Sequence, residues 1–386
     1  MHLSISVFRF PVQILFGEGS LQELGSLAKS FGKNALLITG SGPTSRLPAA
    51  EAVRGMLAGA GISVTHFCEV ESDPDVETVE KGVGRAVESS CDFLIALGGG
   101  SPMDAAKVIA ARLSNRGSVA SWEGVNRIPN RAKPLICIPT TAGTGSEATS
   151  IAVITGGKRR QKMSLVSQNL YPILAIIDPE LTYGMPPRLT ASTGMDALTH
   201  AIESLVAKKA WETTRVLSFK AAQLGFAFLE RACADGSDAE ARRQLSLASF
   251  MAGMAFTSSG LGLGHALAHA LGSHCGVPHG EANAILLPYV MRFNLESCAE
   301  LYRELGGAMG LNVSGLPATK AAEATADAIG DLLAALPIPQ KLSEVGVAEN
   351  SLETLATEAF LNTRLRSSNP RDTVLEDLVL ILRNSF

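Results

Sequence analysis

The feature that most constrains the fold is a change of period along the chain. In the first half, short apolar runs of strand length (Ala35–Thr39, Ile62–Phe67, Phe93–Leu97, Pro134–Ile138, Ile173–Ile177) alternate with stretches whose apolar residues recur at helical spacing (Pro48–Ala60, Val76–Glu88, Pro102–Arg112). After Pro187 only helical patterns follow: Ala191–Ala207, Thr214–Ala234, Ala239–Phe256, Gly264–Leu271, Ala282–Asn294, Cys298–Met309 and Thr319–Ala335. The alternating half predicts an α/β domain built on a parallel sheet, and the second half an all-α domain. The boundary is expected at residues 184–188, giving domains 1–186 and 187–386. Within the first, Val7–Phe16 reads as an edge strand, Ser20 as a helix cap with Glu23 three residues on, and Ile151–Thr155 with Lys162–Val166 as a hairpin around the basic tip Gly156-Gly157-Lys158-Arg159-Arg160.

Open parallel sheets bind ligands beyond the carboxyl ends of their strands, and two loops stand there. Gly98-Gly99-Gly100-Ser101-Pro102 follows the strand ending at Leu97, with Asp104 to Lys107 in the first turns of the next helix. Pro139-Thr140-Thr141-Ala142-Gly143-Thr144-Gly145-Ser146-Glu147 follows the next strand. Glycines let main chain approach a diphosphate, and a helix N-terminus supplies N–H donors and positive potential. Neither loop has the spacing of the dinucleotide or Walker fingerprints, so spacing alone does not decide the nucleotide.

The second half concentrates the histidines. Gly194–Asn283 holds five of the seven in the chain. Asp196 and His200 are one helical turn apart on one face; His265 and His269 repeat that spacing; His279 sits in a Pro278-His279-Gly280 corner where a loop enters a helix. A single histidine on such a helix is ordinarily a core or surface residue. Asp196, His200, His265 and His279 together make a three-nitrogen, one-oxygen set suited to Zn(II) or Fe(II). His269 is a further ligand or a group facing the same cavity, and His274, expected in a loop beside Cys275, reads as structural. The active site is expected where the two halves meet.

Composition removes several classes. With 46% hydrophobic and only 18% charged residues the 386-residue chain is globular, and a net charge of −4 without a basic stripe argues against nucleic acid. There is no apolar run of membrane length, and the first seventeen residues, with Arg9 among apolar ones, do not read as a signal peptide. Six scattered cysteines (Cys68, Cys91, Cys137, Cys233, Cys275, Cys298) read as reduced thiols in a cytoplasmic protein.

On Gly98–Asp104, Thr140–Glu147, Asp178-Pro179, Gly194–Glu203, Gly260–Gly272, Pro278-His279-Gly280 and Asn369-Pro370-Arg371, the chain resembles the iron-containing (group III) alcohol dehydrogenases, nearly end to end. Met251–Phe256 and Leu286-Leu287-Pro288 are most similar to the lactaldehyde/1,2-propanediol and 1,3-propanediol oxidoreductases. The resemblance implies a Rossmann-like dinucleotide domain and a helical metal domain. It implies hydride transfer between a primary alcohol and C4 of NAD(P), with Fe(II), or Zn(II), on Asp196, His200, His265 and His279. It places His269 near the nicotinamide, where it is the candidate for relaying a proton, and Gly98, Gly99, Gly100, Ser101, Asp104, Thr140, Thr141, Thr144, Ser146, Lys162 and Leu181 along the dinucleotide. Ile151, Phe256 and Leu365 would line the substrate pocket, their apolar character favouring an alkyl or aryl aldehyde, and a homodimer or higher homo-oligomer is expected. Related alternatives on the same fold are a glycerol-dehydrogenase or dehydroquinate-synthase type and a maleylacetate reductase, the last disfavoured by the complete ligand set. One departure stands out: where NAD-preferring relatives carry an Asp after the second strand, this chain has Thr39-Gly40-Ser41-Gly42. A hydroxyl and open main-chain N–H groups at Gly40 and Ser41 predict tolerance of a 2′-phosphate and NADP-leaning use.

Overall fold

The computed structural model describes residues 6–42, 48–156 and 161–386, with the side chain of Gln161 excepted. By residue contacts the chain divides into Phe10–Tyr183 and a second unit of Gly184–Phe386 joined by the N-terminal residues up to Arg9.

Among its described residues the first unit carries nine strands, β1 (Gln13–Phe16), β2 (Asn34–Gly40), β3 (Ser63–Val70), β4 (Phe93–Gly98), β5 (Gly124–Val125), β6 (Leu135–Pro139), β7 (Ile151–Gly156), β8 (Gln161–Val166) and β9 (Leu174–Ile177). Four helices accompany them, α1 (Leu24–Ala28), α2 (Pro48–Gly59), α3 (Val76–Glu88) and α4 (Gly100–Ser114). Six strands form one sheet in the order β1-β9-β6-β4-β2-β3, and every pairing in it is parallel. The period-2 alternation of the strands feeds two apolar layers. Leu36, Ile38, Leu94 and Ala96 enter a layer with Met103, Val108 and Ile109 of α4. Ala35, Leu37, Phe93, Ile95 and Leu97 enter the opposite layer with Val53 and Leu57 of α2. A Rossmann-like sheet covered on both faces is the result, and β4, with neighbours on either side, delivers its glycine loop from the middle of the sheet.

Two details differ from the sequence expectation, and a third agrees with it. The first strand is only Gln13–Phe16, because Pro11 cannot supply an N–H to a ladder, although it is an edge strand as expected. Ser20 is not a cap: it is the first residue of a short 3₁₀ turn, Ser20–Glu23, whose cap is Gly19 at φ 75°. β7 and β8 do form an antiparallel hairpin, in a separate sheet with β5, while its basic tip at 157–160 lies outside the described residues.

The second unit is helical among its described residues: α5 (Pro187–Val206), α6 (Glu212–Ala234), α7 (Ala239–Ser259), α8 (Leu263–Cys275), α9 (His279–Ala308), α10 (Ala318–Ala335), α11 (Leu352–Leu361), α12 (Thr363–Ser368) and α13 (Leu375–Asn384). α9 is one helix of 30 residues, where the sequence suggested two broken after Asn294. Leu295-Glu296-Ser297 contains no breaker, and Asn294 is occupied across the unit, exchanging amide hydrogen bonds of 3.1 and 2.8 Å with Asn369. His274 lies in the last turn of α8 and not in a loop, hydrogen-bonded to Glu358 of α11. No helix among the described residues is long and apolar enough to cross a membrane.

Candidate functional site

Helix α5 starts on Pro187, where a missing N–H costs nothing, and its residues from Thr190 onward are almost all buried. Asp196, His200 and Glu203 follow at i, i+4 and i+7, so one face of the helix projects a carboxylate, an imidazole and a second carboxylate. Helix α8 brings His265 against that face, and α9 brings His279 from its first position, next to Pro278. Gly280 makes that approach possible, since a Cβ there would stand 2.3 Å from the Ser192 carbonyl oxygen of α5. Arg188 and Glu281 clamp the same two helices with paired contacts of 2.7 and 3.1 Å.

The donor atoms of Asp196, His265 and His279 all lie within 4.8 Å of one another. His265 Nε2 is 3.8 Å and His279 Nε2 3.6 Å from Asp196 Oδ1, and His200 Nδ1 is 4.0 Å from Asp196 Oδ2. The rings of His200 and His265 stack at 4.5 Å, and Phe256 stacks on His200 at 4.5 Å. Asp196, His200 and His265 are buried and His279 is half-buried. Burial works against the Asp196 charge, yet His200, His279 and His265 outweigh it and hold the carboxyl below its ordinary range. Burial, with His200 beside it, pushes His265 well below the usual imidazole range, which keeps the ring neutral with a lone pair to offer.

His265 is oriented from behind. Glu203 Oε2 accepts from its Nδ1 at 2.7 Å, and the same carboxylate accepts from the main-chain N–H groups of Gly262 at 2.9 Å and Gly264 at 2.6 Å. Burial raises the Glu203 carboxyl to about 7 against those donors. With Nδ1 donating to Glu203, Nε2 is left with its lone pair toward Asp196, an arrangement that ligating histidines regularly show. Sequence reasoning assigned no role to Glu203, although its i+7 spacing from Asp196 was a readable signal. Asn283, one turn past His279, was also passed over, and its amide contacts three of the four proposed ligands.

These side chains fit a divalent cation. Three nitrogens and a carboxylate converge in a buried place, and His200 Nδ1 has no hydrogen-bond partner there. An orphaned buried imidazole nitrogen in such company is what an ion would satisfy. His269, half-buried one turn along α8, has its ring 5.5 Å from that of His279. Leu365 is buried on α12, and Ile151 opens β7 in the other unit.

The glycine loop of the first unit lies open as main chain at the start of α4. Gly98 has φ 150°, Gly99 caps α4, and a Cβ on Gly100 would fall 2.8 Å from Thr144 Cγ2, so the two loops touch and only main chain fits. Asp104 holds the second loop in place, accepting from Ser146 Oγ at 2.7 Å and from the Val153 N–H at 2.9 Å. Thr140 is buried, Ser101, Thr141 and Thr144 are half-buried, and Leu181 packs under the sheet. Lys162 is nearly buried in an ion pair of 2.8 Å with Asp73. At the end of β2, the Ser41 N–H is not open to a phosphate, because it donates to the Val70 carbonyl at 2.8 Å. Thr39 is likewise occupied, with Oγ1 2.9 Å from His66 Nε2. Of the groups expected to admit a 2′-phosphate, the exposed Ser41 side chain and Gly40, which has no side chain, remain.

Profiles described as "Iron-containing alcohol dehydrogenase" and "Fe-containing alcohol dehydrogenase family, C-terminal" match residues 11–179 and 190–386. The chain belongs to the iron-containing alcohol dehydrogenase family. Within this family it is 37% identical to the NAD-dependent methanol dehydrogenase of Bacillus methanolicus, over 98% of this chain and 99% of that one. It is also 37% identical to the lactaldehyde reductase of Escherichia coli strain K12, over 96% of this chain and 97% of that one. Among solved structures, a 1,3-propanediol oxidoreductase superposes with a TM-score of 0.96 at 35% identity, covering 99% of this chain and all of that one. The likeness to lactaldehyde and propanediol enzymes expected from Met251–Phe256 and Leu286–Pro288 is therefore upheld, as is the α/β-plus-helical architecture.

Proposed function

We propose that this alcohol dehydrogenase interconverts a primary alcohol and its aldehyde with NAD(P), using a divalent cation held by Asp196, His200, His265 and His279. The convergence of Asp196, His265 and His279 from three helices, with His200 Nδ1 4.0 Å from Asp196 Oδ2 and Glu203 fixing the His265 tautomer, carries the reading. A bound Fe(II) or Zn(II) would supply Lewis acidity, lowering a hydroxyl's pKa as it lowers that of water from about 15.7 to about 7 and polarising an aldehyde oxygen. His269, half-buried and one turn from His265, is the group we assign to take or return the hydroxyl proton, since a neutral imidazole carries one donor and one acceptor nitrogen. Phe256 covers His200 and keeps water from it. Gly98, Gly99, Gly100 and Ser101 present main-chain N–H groups to the dinucleotide diphosphate at the start of α4, with Thr140, Thr141, Thr144 and Ser146 beside them. Phe256 and Leu365 are assigned to a mainly apolar substrate pocket.

The curated relatives include an NAD-dependent enzyme. In this chain no carboxylate stands at Thr39–Ser41 to repel a 2′-phosphate, which supports use of both NADH and NADPH. We further assign a homo-oligomeric, cytoplasmic enzyme. The deciding experiment strips the protein of metal, then measures propanal- and lactaldehyde-dependent oxidation of NADPH and NADH before and after anaerobic Fe(II) or Zn(II). Activity that returns with metal supports the reading, and nucleotide binding without turnover on any aldehyde would overturn it. A hundredfold preference for NADH would remove the NADP-leaning part alone.

A further inference from the structure

Asn283 is completely buried one turn past His279 on α9. Its Nδ2 lies 2.8 Å from Asp196 Oδ1, 3.2 Å from His279 Nε2 and 3.3 Å from His265 Nε2. Those are the three atoms that approach one another within 4.8 Å, so one amide nitrogen caps the triangle of donor atoms. Its Oδ1, equally buried, has no hydrogen-bond partner. The side chain is thus held by its nitrogen end alone. Chemistry fixes which end that is: turned over, an acceptor oxygen would stand 2.8 Å from a carboxylate oxygen, acceptor against acceptor. An amide nitrogen has two hydrogens, one for the carboxylate and one shared between the two imidazole nitrogens, whose contacts at 3.2 and 3.3 Å are nearly equal.

We propose that Asn283 is a positioning residue for the cation site. Its two N–H groups keep Asp196, His265 and His279 convergent in the metal-free chain, and with a cation present it retains only Asp196, aligning that carboxylate. Without an N–H donor among them, lone pairs on three neighbouring atoms face one another and the side chains turn apart. A cation must then reassemble the set before it can bind, and its affinity falls. With the cation in place, the imidazole nitrogens direct their lone pairs to it and no longer accept from Nδ2, while the Asp196 bond persists on the second hydrogen. The inference rests on the reading of Asp196, His200, His265 and His279 as ligands, and its test separates the two.

Full-length protein stripped of metal is titrated with Zn(II) in competition with a chromophoric chelator. Asn283→Ala and Asn283→Leu, which keeps the branched shape but has no donor, are expected to bind Zn(II) about 10–100-fold more weakly than the unaltered chain, the usual effect of losing a group that orients ligands. A residue that only fills space would leave the affinity alone, so a folded variant within twofold of the unaltered chain overturns the proposal. Failure of the unaltered chain to bind Zn(II) would instead overturn the ligand set on which it rests. If neither variant folds, the unaltered chain still decides through its selectively labelled asparagine side chains. Zn(II) should move one Nδ2 proton resonance of Asn283 as its imidazole bond is released and leave the other near its position; two unmoved resonances while Zn(II) binds overturn the proposal.

Discussion

Each unit of this dehydrogenase buries a polar cluster, and the two are built on opposite principles. In the first, Lys107 is fully enclosed, and its ammonium donates to the Ser146 carbonyl at 2.6 Å, Ser146 Oγ at 2.8 Å, Thr149 Oγ1 at 2.9 Å and the Ile151 carbonyl at 2.8 Å. Asp104 lies 4.0 Å away and ties the same loop from its other side. Three donors meet four acceptors, so nothing is missing. In the second, two of three imidazoles and a carboxylate gather around the two hydrogens of the Asn283 amide, and His200 Nδ1, on the third, has no partner. A buried charge whose donors are all spoken for is structural; a buried set with acceptors in excess is a place for a cation. The difference teaches that burial alone does not distinguish scaffold from chemistry, while the balance of donors and acceptors does.

The largest expected effect breaks the open cluster. His279→Ala should lose bound metal and aldehyde reduction together, beyond the roughly 10–100-fold cost of losing an outer partner; metal analysis beside steady-state rates checks it, and a variant with full metal and full turnover would sink the assignment. Breaking the closed cluster should act on stability instead. Lys107→Met leaves Asp104 and the Ser146 loop without their cation and should cost about 3–5 kcal/mol in urea unfolding, with Zn(II) affinity of the folded fraction unaltered. If that variant lost metal before it lost stability, the contrast between the clusters would fail.

Beside Lys107, buried Glu147 sharpens the same contrast. Burial raises its carboxyl from 4.5 to about 7, with its own main-chain N–H and Lys107 opposing. Between those pH values the folded chain holds a proton that the unfolded chain has lost, so stability falls as pH rises through the window. The total is on the order of 3 kcal/mol. The fall in unfolding free energy between about pH 5 and about pH 7.5 should shrink by about that amount in Glu147→Gln, while buried Glu203, also raised to about 7, keeps its own share. The smallest effect belongs to Glu203→Gln. Removing the carboxylate behind His265 should weaken Zn(II) binding by about 10–100-fold, some 1.4–2.8 kcal/mol, with the fold kept. An unchanged affinity would make Glu203 merely the anchor of the Gly262–Gly264 turn.

Much of this was legible in residue order. Asp196, His200 and the Pro278-His279-Gly280 corner announced themselves by spacing, and the glycine loops by their place after apolar runs. Glu203 sat at i+7 on the same face and was readable in principle. Asn283 was not, because an asparagine at i+4 from a histidine has no meaning until α5 and α8 bring their atoms to it. The expected openness of the Ser41 N–H failed for a similar reason: whether a main-chain donor is taken depends on the strand beside it, here β3 through Val70. The break imagined after Asn294 failed because a pair with Asn369, 75 residues away, lies beyond any local pattern.

What the sequence determined by itself was everything that period and spacing can encode: the parallel sheet, the change to helices, the Asp196 and His200 pair on one helical face, and the membership that the motifs carry. Only the tertiary structure decided which acceptors meet which donors. Hydrogen-bond satisfaction is a property of atoms brought together from distant elements, and it is what separates the sealed lysine from the cluster left open for an ion.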